Sequence, residues 1–70
     1  MSREEREHLL HQRMLRLMAK HSLCMAEVGR EIGYHGRSIN YHLDKIQAET
    51  GIDPRTFYGL CELLGYRKEE

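Results

Sequence analysis

Five histidines and two cysteines in a 70-residue chain are the side chains that most often ligate a transition metal or act as nucleophiles. His21 and Cys24 stand in an H-x-x-C spacing, and His8 and His11 are one helical turn apart. A structural zinc ion takes four ligands, usually from two such pairs, and no second pair accompanies His21 and Cys24. A Cys/His nucleophile pair needs an oxyanion hole and a concave pocket, which so short a chain has little material to build. The spacing therefore predicts no metal, no cofactor, no small-molecule effector site and no enzyme activity. Arg37, Asn40, Tyr41 and Asp44, in the run "GRSINYHLDKI", carry a different chemistry. An arginine fork matches guanine, an asparagine amide matches adenine, and a tyrosine reaches a phosphate or a thymine methyl. Such groups act together only if one helix displays them on one face.

The length admits one domain, because a chain this short buries only about 60% of the surface its unfolded form exposes. Eleven Lys and Arg balance eleven Asp and Glu, so the formal net charge is zero and global charge points to no particular partner. Nucleic-acid binders usually carry a basic excess, since phosphate neutralisation supplies most of their non-specific affinity. The chain has no charged leader followed by an apolar stretch and no long apolar run. That predicts a cytoplasmic protein with no membrane span, in which Cys24 and Cys61 stay reduced as small residues in or near the core.

The elements that must position these groups are all helical. Ser2 and Glu5 have capping-box spacing ahead of a stretch free of Gly and Pro, which predicts a helix over about 3–20. Its apolar face is Leu10, Met14 and Leu17, with Leu9 and Met18 flanking and Leu15 pointing the other way. A shorter helix over about 24–32 carries Met25, Val28 and Ile32, and Gly33 suits the left-handed position that ends it. Periodicity restarts in Ile39, Leu43 and Ile46 on a helix over about 36–49, which Gly51 closes. Asp53 as N-cap and Pro54 in the first turn predict a fourth helix over about 54–64. Its apolar face is Phe57, Leu60, Cys61 and Leu64, Gly65 ends it, and 66–70 form a frayed tail. The fold class is an all-α compact domain of four helices.

Two helices joined by a short glycine turn, the second with a polar outer face, form a helix-turn-helix. Gly29 lies on the inner side of the first of the pair, where a larger side chain would hold the helices apart. Val28, Gly29, Ile32, Gly33, Ile39, Leu43 and Ile46 make the core of the unit. With Ile39 buried, about 100° per residue turns Arg37, Tyr41, Asp44 and Ala48 outward, with Asn40 and Lys45 on the flanks. Asp44 is expected to pair with a neighbour, because a carboxylate near phosphates is costly. His21 is expected to be half-buried and satisfied.

The run "HGRSINYHLDKIQAETGID", residues 35–53, resembles the C-terminal helix-turn-helix of PucR/CdaR-type bacterial transcription regulators. His35, Tyr41, Leu43, Asp44, Lys45, Ile46, Thr50, Gly51 and Asp53 match that family's pattern, and Ser38, Ile39 and Ile52 match it conservatively. Gly36, Arg37, Asn40 and His42 stand where the pattern has Arg, Asn, Arg and Arg, so much of its basic charge is missing. The family's large N-terminal sensory region is also without counterpart here. The resemblance implies a small bacterial or phage helix-turn-helix protein that binds double-stranded DNA. On that basis His35, Gly36, Arg37, Ser38, Asn40, Tyr41 and Lys45 are the expected DNA contacts. Two half-sites call for a homodimer, with Leu15, Met18 and Leu63 as candidate contacts. The alternative is a helix-turn-helix protein-interaction module, such as an antirepressor or a polymerase-binding adaptor, which the neutral charge would suit.

Overall fold

The computed structural model describes residues 2–65 and consists there of four helices with no strand: α1 (Arg3–Lys20), α2 (Met25–Ile32), α3 (Gly36–Thr50) and α4 (Phe57–Leu64). The expected tail at 66–70 lies outside the described residues. No helix among them is long and apolar enough to cross a membrane.

Each helix begins and ends for a local reason. The Glu5 N–H donates to Ser2 Oγ at 3.1 Å and the Ser2 N–H donates to Glu5 Oε1 at 2.9 Å, so the capping box opens α1. Its C-terminus closes without glycine: Ser22 and Leu23 both turn left-handed, at φ 53° and 67°, and the Leu23 N–H donates to the Met18 carbonyl at 2.7 Å. Gly33, at φ 83°, ends α2 and donates to the Gly29 carbonyl at 2.7 Å. Gly51, at φ 75°, ends α3.

The fourth helix starts later than the Asp-Pro signal predicts. Asp53 does not cap it; residues 53–56 close as a turn of their own. The Asp53 carbonyl accepts from the Thr56 N–H at 3.4 Å and from its hydroxyl at 3.1 Å, while Asp53 Oδ1 accepts from the Arg55 N–H at 3.0 Å. Thr56 then caps α4 by accepting from the Gly59 N–H at 2.9 Å. A Cβ on Gly59 would run into the Asp53 carbonyl, so glycine is what lets the turn fold back onto the helix.

The core is Met14, Leu15, Leu17 and Met18 of α1 with Val28, Ile39, Leu43, Ile46 and Leu60. Leu15 does not point outward: it is only 6% exposed, and Met18 is fully buried. Helix α1 contacts all three other helices, so its buried face is wider than one stripe. Leu63 is partly buried against the same core. Leu15 and Met18 are therefore not free dimer contacts, and Leu63 is so only in part. Phe57 departs the other way, standing 74% exposed at the first position of the shortened α4. Cys24 is exposed and Cys61 only partly covered, so Cys24 is not a core residue.

Candidate nucleic-acid interface

Helix α2, the three residues 33–35 and helix α3 place a 15-residue helix against an eight-residue one. The close approach depends on Gly29, whose Cβ would stand 2.8 Å from the Tyr34 carbonyl oxygen and 3.0 Å from Ile39 Cδ1. Val28, Ile39, Leu43 and Ile46 are buried and Ile32 partly so, as the helical period requires. His35 is the backbone N-cap of α3 and makes no side-chain cap bond. Together with Gly36, Arg37 and Ser38 it leaves the start of the helix exposed. Arg37 is in no ion pair among the described residues.

Of the other expected contacts, Asn40 and Lys45 are already engaged. The Asn40 amide nitrogen donates to the Gly36 carbonyl at 3.1 Å, and its Oδ1 accepts from Arg55 Nε at 3.3 Å. Arg55 reaches over from the 53–56 turn. It donates through Nη2 to the Asn40 carbonyl at 3.2 Å and to Asp44 Oδ1 at 2.6 Å, and through Nη1 to Asp53 Oδ1 at 3.3 Å. Asp44 is thus paired, as the carboxylate's chemistry requires. Arg55 carries no periodic or motif signal in the sequence, and only the fold of the turn brings it to α3.

Lys45 does not face outward with Arg37. Its ammonium donates to Glu7 Oε2 of α1 at 2.6 Å and lies 5.5 Å from the centre of the Tyr41 ring. The hydrogen bond holds the Glu7 carboxyl below, and the Lys45 ammonium above, its ordinary pKa. Tyr41 itself is 58% exposed. Next to this pair the His42 ring turns inward, its Nδ1 3.0 Å from Nε2 of the buried His11. Tyr34 stacks on His42 and Tyr41 meets it edge-on, at ring separations of 5.8 and 5.2 Å. Burial, and then the neighbouring His42, lower the pKa of His11. At the far end of α1 the partly buried His21 bonds to Glu31, whose carboxyl is lowered by that bond.

No family model, curated protein or solved structure matches the chain.

Proposed function

We propose that the protein is a small helix-turn-helix DNA-binding regulator that lays the N-terminal half of α3 in the major groove. The observation that carries this reading is the exposed start of a 15-residue helix set by a glycine turn against a short one, with His35, Gly36, Arg37, Ser38 and Tyr41 all turned to solvent. The N-terminal residues of such a helix are the ones that reach base edges. Arg37 is the base-reading candidate. Asn40 acts with Arg55 rather than alone, and Arg55 adds a guanidinium at the rim of the same face. Lys45 contributes to phosphate contact only after leaving Glu7. A homodimer spanning two half-sites would use outward apolar groups, and on the described surface, Tyr41 of the α3 face aside, these are Leu9, Phe57 and Tyr58 rather than the buried Leu15 and Met18.

The second reading, a protein-interaction module, is favoured by two observations: the expected contacts Asn40 and Lys45 are tied up within the domain, and Phe57 and Tyr58 stand 74% and 78% exposed. Fluorescence anisotropy with random and genomic duplexes at low salt separates the two. On the DNA reading Arg37→Ala keeps the parent's melting curve and loses roughly 1–3 kcal/mol of binding at particular base pairs. Arg55→Ala weakens all sequences together. Parent-like binding of every duplex by both variants, or no binding by the parent, overturns the DNA reading in favour of a protein partner.

A further inference from the structure

Behind the exposed face, α1 and α3 bring together three ligand-type side chains from distant parts of the chain. Glu7 and His11 are one helical turn apart and both point at α3; His42 comes back from α3 to meet them. Each of the three offers one ligand atom, and the three atoms lie within 4.8 Å of one another. We infer that Glu7, His11 and His42 form a binding site for a divalent cation of the zinc class, which would join α1 to α3.

At the two histidines the geometry is close to what such an ion needs, and the Glu7 oxygen, within 4.8 Å of them, has to draw in. Two imidazole nitrogens at about 2.0–2.1 Å from a tetrahedral ion stand about 3.3 Å apart. The Nε2 of His11 and Nδ1 of His42 are at 3.0 Å, so the rings need open by only a few tenths of an ångström. Without an ion the facing nitrogens hold one proton between them; with one, that single proton shifts to the outer nitrogen of its own ring, so that both facing lone pairs are free and the protons rest on His11 Nδ1 and His42 Nε2. The rings are already held, His11 by its burial and His42 between Tyr34 and Tyr41. Glu7 adds an oxygen and one negative charge, and its partial exposure leaves a side open for water as fourth ligand. Two nitrogen donors select zinc-class ions over calcium or magnesium, which prefer oxygen throughout. Spacing along the chain does not reveal this set, because the second histidine is supplied by another helix.

Lys45 is the competitor. Its ammonium sits 2.6 Å from Glu7 Oε2, where a cation would have to displace it. The site therefore exchanges one bound cation for another, and removing the lysine charge should tighten metal binding.

The test is zinc titration of the untagged full chain against a chromophoric chelator, with the visible spectrum of the cobalt(II) form and the thermal melt. One Zn²⁺ per chain, a raised melting temperature and cobalt bands of four-coordinate intensity are expected. His42→Ala should weaken binding by tenfold or more, on the order of the loss seen even for residues that only support ligands. Glu7→Gln should weaken it too, and it keeps the site testable should His42→Ala fail to fold. Lys45→Met should bind zinc several-fold more tightly, whereas His21→Ala should bind as the parent does. No zinc binding by the parent overturns the assignment. So does affinity that survives both Glu7→Gln and His42→Ala, or that falls with His21→Ala and so places the ion at the other end of α1.

Discussion

A methyl group is enough to test the packing of α2 on α3. On Gly29 it would meet the Tyr34 carbonyl, a backbone atom that cannot swing aside, and Ile39 Cδ1, which can. Gly29→Ala should therefore destabilise the fold by about 1–3 kcal/mol, the usual cost of overpacking a tight contact. A urea midpoint equal to the parent's would show that the two helices have room to spare. Ser22 makes the opposite case. It is exposed and left-handed at φ 53°, a conformation costing an L-residue roughly 1–2 kcal/mol. Ser22→Gly removes that cost but adds unfolded-state freedom, so a net gain of about 0.5 kcal/mol is expected. A lower midpoint for Ser22→Gly would mean that the serine side chain contributes more than its backbone costs.

At the level of the helices, side-chain caps open α1 and α4. The hydroxyl of Thr56 both accepts from Gly59 and donates to the Asp53 carbonyl, so Thr56→Ala loosens α4 and its preceding turn together. The expected loss is about 1 kcal/mol, typical of an N-cap. It should be accompanied by weaker protection of the Gly59 and Leu60 amides in hydrogen exchange. If Thr56→Ala melts as the parent does, the cap is not what starts α4. The start of α1 responds to pH instead. The Ser2 N–H holds the Glu5 carboxyl below its ordinary pKa, so the folded state binds that proton less readily than the unfolded chain. Stability from this bond is complete above the ordinary carboxylate pKa and is lost as pH falls through the lowered value. Glu5→Gln should consequently flatten the acid limb of the stability profile between about pH 5 and pH 2. Identical acid limbs in the two proteins would remove Glu5 from the account.

For the molecule as a whole, a net charge of zero does not say which charges are free to meet a partner. Glu7, Glu27, Glu31, Asp44 and Asp53 are each in an ion pair, whereas the exposed Arg6, Arg13, Arg16 and Arg37 are in none among the described residues. Helix α3 meets α1 through Glu7 and His11, so helical spacing turns Arg13 and Arg16 away from it. Among the described residues Arg37 is then the single Lys or Arg of α3 in no ion pair. Duplex binding along that helix should show a shallow dependence of log affinity on log salt, and Arg37→Ala should reduce the slope by about one. Arg13→Ala and Arg16→Ala should leave the slope unchanged. A slope that falls with Arg13 or Arg16 and not with Arg37 would move the anion-binding face to the outer side of α1.

Helix formation and termination are local events, and the sequence by itself determined them closely. Apolar residues at helical spacing, the Ser2–Glu5 capping box and the left-handed glycines at 33, 51 and 65 act within a few residues of themselves. Hence the four-helix, strand-free chain, the close approach at Gly29 and most of the buried positions were legible, as were the exposed Arg37 and Tyr41. What each polar group does on the surface follows from how the helices pack. Leu15 is buried because α1 is covered on more than one side, and Phe57 is exposed because the 53–56 turn delays α4. Arg55 occupies Asn40 and Asp44, Glu7 occupies Lys45, and His11 faces His42 across 31 positions of sequence. Helical periodicity places a residue on a face of its own helix; which helix then packs against that face is a matter of contacts between segments far apart in the chain, and those contacts leave no periodic mark.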